Sequence, residues 1–428
     1  MRTRRLHSRL SSPVAVLLVT LLLASGAWAG TKGAVPGSHR NVSFKTLYFF
    51  TGSSDGAHPA GRVTIGRDGN LFGSTASGGT NDTGTVYELY RDASGAWKER
   101  VLYSFGPYKG SDCAFPSSKL MWDPKGNLYG FAANGGANGW GCVFMLSPSG
   151  GGGWTESVIY SFGSSAGEGG LPYGSPFMDK AGNLYGTTSY GGTNNDGAVW
   201  ELSPNGSGGW TFRVLELFDW TNGDESYGGL KMDRFGNLWG NTYYGGAYGD
   251  GVVFQLVPDG KGGWSYQIVH SFSGGADGSH PAMDHLVFGA DGSAFGTTVE
   301  GGAQGCGMVT CGTAYTLVRS GDGTYKLYTI FDFGVEGEGG WPGELRFDKH
   351  GHLYGSSGYP PGVLFELVPK RKGSHHWKGI FLHGFDVNDG EGPSGLNTND
   401  NHHFYGVTGD GGTGCPGYGC GTVFEITP

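Results

Sequence analysis

A five-residue signature of the form Gly-Asn-Leu-aromatic-Gly recurs seven times along the 428 residues, its last glycine falling at Gly73, Gly130, Gly186, Gly240, Gly296, Gly355 and Gly406. The spacings of 57, 56, 54, 56, 59 and 51 residues are regular and too short for separate domains. Such units bury a core only by packing on their neighbours. Each contains four strand-like runs. An extended run leads into an Asp-x-x-Gly turn, as in Asp179-Lys180-Ala181-Gly182, and the signature run follows. The third run opens with Gly and places a ring three residues on, at Tyr87, Phe144, Trp200, Phe254, Tyr315, Phe365 and Phe424. The fourth begins at Trp97, Trp154, Trp210, Trp264, Tyr325 or Trp377 and ends eight residues later at Phe105, Phe162, Phe218, Phe272, Phe333 or Phe385.

The two ends complement each other. Val42 to Phe50 is a copy of the fourth run with no unit before it, and the chain stops at Pro428 after a third run. Pairing these segments closes a ring and removes an exposed edge. The sequence therefore predicts an all-β, seven-bladed β-propeller closed by the N-terminal strand on the last blade. A β-solenoid would need shorter periods and would not need matching incomplete ends. Composition agrees. Gly (87) and Pro (19) could signal a disordered chain, but 12 Trp, 22 Tyr and 25 Phe with only 15% charged residues supply too much apolar ring surface for one. Glycine at one position in five also excludes a helical bundle.

Arg2, Arg4, Arg5 and Arg9 precede an apolar run from Val14 to Ala24 and the small-x-small sequence Ala27-Trp28-Ala29. That is the pattern of a secretory signal peptide, its apolar run being short for a membrane anchor. Residues 1–29 are read as signal peptide, 30–41 as N-terminal linker and 42–428 as propeller repeats of about 57 residues. Cleavage after Ala29 moves the formal net charge from −9 to −13. An acidic mature protein with few basic runs does not bind nucleic acid, and no later segment is apolar enough to span a membrane. The expected product is a secreted or periplasmic monomer.

Three segments carry a family likeness: Leu102-Tyr103-Ser104-Phe105, Gly182-Asn183-Leu184-Tyr185-Gly186-Thr187-Thr188, and Gly421-Thr422-Val423-Phe424. In these the sequence resembles the GloVer (Gloeo/Verruco) tandem-repeat family over essentially all of residues 42–428. The resemblance implies an exported bacterial protein and brings no established activity with it. Some members carry a C-terminal sorting anchor. This chain ends on a repeat strand, so a freely exported protein is expected.

Six cysteines in an exported chain favour disulfides. Cys306 with Cys311 and Cys415 with Cys420 occupy equivalent loops between second and third runs and read as local staples. Cys113, entering one unit, and Cys142, starting that unit's third run, make the third pair. A four-Cys zinc site from the two Cys-x4-Cys loops is the rival, with loose spacing on non-adjacent blades.

The inter-blade loops and the loops between second and third strands share one face of a propeller. Here those loops carry carboxylates (Asp55, Asp112, Glu168, Asp224, Asp277, Glu336, Glu338, Asp389, Glu391) beside rings that include Trp220, Tyr190, Tyr243, Tyr244, Trp341 and Tyr359. Rings stack on the C–H face of a sugar while carboxylates hydrogen-bond its edge. The competing reading is turn chemistry for the Asp residues and packing over Gly-rich loops for the rings. One unit breaks the pattern: its loop 356–362 lacks the Gly-Gly extension, leaving a notch that Trp341, Tyr359, Glu336 and Glu338 would line. The expected function is a binding module for polysaccharide or cell-surface glycan. A glycan-cleaving enzyme using loop carboxylates such as Glu336 and Glu338, or a protein–protein assembly scaffold, are the alternatives. No catalytic motif is present, so no catalytic residue is assigned. No cofactor or metal ligand is assigned either, a structural calcium on clustered oxygens being the one candidate ion.

Overall fold

The computed structural model describes residues 42–428 apart from 166, 283, 284, 304, 307, 308, 335–338, 359, 360 and 372, and apart from the side chains of 305, 306, 309 and 310. The segment read as signal peptide and linker lies outside these residues, as do Glu336, Glu338 and Tyr359.

Seven antiparallel sheets form the blades of a propeller. In chain order they span residues 57–104 (blade I), 113–161 (II), 177–217 (III), 231–271 (IV), 279–332 (V), 342–384 (VI), and 391–427 with 43–49 (VII). Within each blade the strands run from innermost to outermost in sequence order. In blades II and V the innermost strand is interrupted, at Cys113–Pro116 then Met121–Trp122 and at Ser279–Pro281 then Val287–Phe288. Blade VII is the exception in connectivity: its outermost strand is Ser43–Phe49, paired antiparallel to Thr422–Thr427 from Ser43↔Thr427 to Phe49↔Thr422. The ring is thus closed as the two incomplete ends require. Among the described residues no helix is long and apolar enough to cross a membrane.

The signature and the aromatic slot are explained together. The last glycine of each signature sits directly opposite the ring of the third strand, in the pairs Gly73↔Tyr87, Gly130↔Phe144, Gly186↔Trp200, Gly240↔Phe254, Gly296↔Tyr315, Gly355↔Phe365 and Gly406↔Phe424. A methyl group on any of these glycines would lie 2.3–2.5 Å from the nearest atom of the aromatic side chain it faces. The far end of the side chain comes over the glycine, and the ring is fully buried in every blade.

A second circle of rings joins the blades. The phenylalanine that ends each outermost strand packs on the third-strand ring of the next blade: Phe50 on Tyr87, Phe105 on Phe144, Phe162 on Trp200, Phe218 on Phe254, Phe272 on Tyr315, Phe333 on Phe365 and Phe385 on Phe424, at centroid separations of 5.0–5.6 Å. Each contact contributes about 0.5–1.5 kcal/mol beyond the area it buries. Phe50 supplies the closing contact, from the N-terminal strand of blade VII to blade I.

Two disulfides are formed, Cys113–Cys142 and Cys415–Cys420. Cys311 is also disulfide-bonded, the side chain of Cys306 lying outside the described residues. This bonding withdraws Cys311, Cys415 and Cys420 from any four-thiolate zinc site.

Candidate functional site

Every blade is entered through one left-handed residue. His58, Phe115, Leu171, Glu225, His280 and Trp341 have φ between 52° and 58°, and blade VII has Gly392 at 62°. This conformation costs a non-glycine residue about 1–2 kcal/mol. Each backbone N–H here donates to the preceding blade: His58 to Cys420 O, Phe115 to Thr83 O, Leu171 to Trp140 O, Glu225 to Asp196 O, His280 to Asp250 O, Trp341 to Cys311 O and Gly392 to Pro361 O. The kink recurs where each innermost strand begins, Trp341 being its copy in blade VI.

Rings gather on that face along blades III to V. Tyr173 and Tyr227, which enter blades III and IV, meet edge to face at 5.5 Å. Tyr227 meets Tyr243 at 5.8 Å, Tyr243 meets Tyr244 at 4.8 Å, and Tyr243 stacks on His280 at 4.6 Å and 12°. The Tyr227 hydroxyl donates to Glu225 Oε2 at 2.6 Å. Burial, followed by the Glu225 carboxylate, pushes the Tyr173 phenol up to about 12 and raises Tyr227 further. Burial also raises Tyr243 and Tyr244. All four hydroxyls therefore stay protonated at neutral pH. This run of half-buried rings is a tyrosine ledge.

Tyr243 and Tyr244 thus come together, joined by Tyr173 and Tyr227, which sequence reasoning did not single out. Tyr190 is apart from them, stacked on Trp140 at 5.5 Å and 3°. Trp220 stands in the loop before blade IV, 49% exposed. The notch proposed around Trp341 has three of its four residues outside the described set.

The loop carboxylates serve their own loops. Asp55 accepts from Thr51 N and the Tyr48 hydroxyl, Asp112 from Gly106 N and the Tyr103 hydroxyl, and Glu168 from Ser165 N and the Tyr160 hydroxyl. Asp277 and Asp389 do the same with Ser273 N and His270, and with Asp386 N and His383. Turn chemistry therefore accounts for these five. Among the described residues Asp112, Cys113 and Glu156 are the one set of three metal-ligating side chains close together. The Cys113 sulfur is held in its disulfide, which leaves two carboxylates, short of the roughly six to eight oxygens calcium takes.

At the centre of the ring, charged side chains from non-adjacent blades meet. Arg62 of blade I reaches Glu344 of blade VI (Nη1–Oε1 2.5 Å), His285 of blade V (Nη2–Nε2 3.3 Å) and Leu396 O of blade VII (3.4 Å). His285 Nε2 lies 3.0 Å from Glu344 Oε1. Blades I and V are not neighbours, so the Arg62 side chain crosses the channel. Lys119 of blade II, Lys231 of blade IV and Arg346 of blade VI join the cluster. Burial, then the charge of Arg62, pushes the Lys119 ammonium down to about 7, lowers Lys231, and brings the Arg346 guanidinium down to about 10. The same two causes hold His285 well below its ordinary value, hence neutral.

The signal for this cluster was in the repeats. Counting nine residues back from the leucine position of each signature gives Arg62, Lys119, Ser175, Gly229, His285, Glu344 and Gly395. Four charged or titratable residues thus sit one place before a buried aliphatic, Val63, Leu120, Leu286 and Leu345. On the opposite, hairpin face a groove of about 400 Å³ runs between Asp68, Asn70, Trp97, Asp400 and Tyr405.

A family model described as the Gloeobacter/Verrucomicrobia repeat matches residues 23–211 and 95–310. This chain belongs to the Gloeobacter/Verrucomicrobia repeat family. The seven glycine–ring pairs are the physical content of the repeat in this member of the family. No curated protein matches the chain. Among solved structures it is similar to a candidate 6-phosphogluconolactonase from Bacteroides uniformis (13% identity, 76% of this chain and 84% of that one, TM-score 0.49). It is also similar to the PQQ-bound aldose sugar dehydrogenase from Streptomyces coelicolor (13%, 92% and 99%, 0.44) and to a protein of unknown function from Dyadobacter fermentans (12%, 92% and 100%, 0.45). These likenesses bring no activity to this Gloeobacter/Verrucomicrobia repeat protein.

Proposed function

We propose that the chain is an exported binding propeller for polysaccharide or cell-surface glycan, and that the sugar docks on the tyrosine ledge. The observation that carries this reading is the unbroken contact from Tyr173 through Tyr227 and Tyr243 to Tyr244 and His280 at the mouth of the ring. Half-buried rings fixed by their neighbours offer apolar faces at low entropic cost, and neutral phenol hydroxyls donate to sugar oxygens. Export is favoured by the cleavable N-terminal pattern and by disulfide bonding, which persists in oxidising compartments.

Screening the mature protein on a glycan array and measuring the best component by calorimetry tests the reading. Tyr227→Ala combined with Tyr243→Ala removes two adjoining rings and is expected to weaken binding by about tenfold or more while the melting transition remains cooperative. An array on which the folded protein binds nothing, or an affinity unchanged in the double variant, would overturn it.

A further inference from the structure

Among the described residues the cations of the axial cluster outnumber its carboxylates. Arg62, Lys119, Lys231 and Arg346 converge from blades I, II, IV and VI, and the one carboxylate acting on them among the described residues is Glu344. His285 is neutral and cancels nothing. Glu344 is already engaged by Arg62 and His285. Arg62 is only 6% exposed, and its Nε has no hydrogen-bond partner; the Nε of Arg346 is likewise buried and unpartnered. A purely structural plug would pair its buried charges, because an uncompensated buried charge costs several kcal/mol. Cations gathered from four blades around one carboxylate instead leave unmet demand for negative charge.

We propose that the axial channel is an anion-binding site, in which Lys119, Lys231, Arg62 and Arg346 receive a carboxylate or phosphate group. Guanidinium and ammonium donors suit both groups, through charge-assisted hydrogen bonds. Lys119 and Lys231 each keep part of their surface exposed, while Arg62 is anchored by Glu344 and Leu396 O. Glycine at position 395, where a methyl group would lie 2.8 Å from Glu344 Oε2, keeps blade VII clear of the cluster. The tyrosine ledge is not needed for this site, so simple anions test it independently of glycan binding.

The probes are inorganic phosphate and galacturonate, with glucose as neutral control and ionic strength held constant with sodium chloride. Saturable binding is expected by calorimetry below about 10 mM for one or both anions and not for glucose. The stronger of the two identifies the group the site takes. Lys119→Met and Lys231→Met keep the apolar stems and remove the charges. Each is expected to weaken anion binding about tenfold or more and to leave the melting temperature of the anion-free protein unchanged or raised, since repulsion is relieved. Three results overturn the proposal: no saturable binding of either anion to the folded protein, stabilisation that follows ionic strength rather than anion identity, or undiminished binding in both lysine variants. A lowered anion-free melting temperature in both, with binding intact, assigns the lysines a structural part instead.

Discussion

Replacing Gly240 by alanine tests the glycine–ring pairing directly. The added methyl would sit 2.4 Å from Phe254 Cζ and 2.7 Å from Leu230 Cδ2. Carbon atoms pack at about 3.5–4.0 Å, so the ring must retreat by roughly 1 Å or more. It has nowhere to go, being fully buried with Phe218 at 5.6 Å on one side and Tyr266 at 5.3 Å on another. Overpacking a rigid site costs about 1–3 kcal/mol, and the upper part of that range applies where a ring is the obstacle. Restricting the unfolded chain returns about 0.4–1 kcal/mol. The net loss is about 2 kcal/mol, a fall in melting temperature of roughly 2–3 °C for a chain this long. Urea denaturation and calorimetry measure it. Gly150→Ala is the control, since nothing lies within 4 Å of its added methyl and its φ is not left-handed; it should be close to neutral. Adding Phe254→Leu to Gly240→Ala should cost less than the two separate losses combined, because the smaller side chain vacates the clash. A Gly240→Ala protein as stable as the Gly150→Ala control, or strict additivity in the double variant, would refute the reasoning.

The two disulfides should differ in worth. Cys113–Cys142 closes a separation of 29 residues and Cys415–Cys420 one of 5, so the chain-entropy relation gives about 3.6 and about 2 kcal/mol. Paired Cys→Ala variants compared by urea midpoint check this, and equal losses would contradict it. Stability should also depend on two half-buried carboxyls. Burial, and then the charge of Asp55 and Asp112 respectively, pushes Glu99 and Glu156 from 4.5 up to about 7. The folded state therefore holds these protons more tightly than the unfolded chain, and their effect is to reduce stability as pH rises from about 4.5 through about 7. The urea midpoint of the natural protein should fall more between pH 5 and 7.5 than that of Glu99→Gln/Glu156→Gln, and parallel profiles would remove the two groups from the account.

The architecture was legible because each blade repeats the same steric solution. A glycine opposite a ring and a phenylalanine at the end of the outermost strand are side-chain facts with a fixed spacing, so seven copies and two half-complete ends were enough to count the blades and close the circle. Loop roles were less legible. Asp55, Asp112 and Glu168 have the composition expected of a sugar site, yet their oxygens are taken by the N–H groups and phenols of their own loops. Sequence cannot separate a carboxylate that staples a turn from one that awaits a ligand, because both occur in the same Gly-rich loops. Tyr173 and Tyr227 were missed for a related reason: they precede innermost strands that are only two residues long in the ladder, Phe177–Met178 and Lys231–Met232, and leave no alternating pattern to mark which way they face.

Symmetry itself separates scaffold from site. The seven rings opposite glycine are interchangeable in kind, and so are the seven closing phenylalanines, because every blade must solve the same packing problem. The position nine residues before the signature leucine faces no such common demand. It holds arginine, lysine, serine, glycine, histidine, glutamate and glycine in turn, the pattern expected where seven strands converge on one axis and their side chains must fit together once rather than seven times. At this position arginine, lysine, histidine and glutamate from blades I, II, V and VI fill the space that serine and glycine of blades III, IV and VII leave open, and Lys231 of blade IV reaches the same cluster from two residues further along its strand. A repeat fold can specialise its centre without disturbing its blades, since the hydrophobic contacts that hold neighbouring sheets together lie further out, between Phe50 and Tyr87 and their six counterparts. The departures from the repeat, more than the repeat, are where chemistry particular to this chain should be sought.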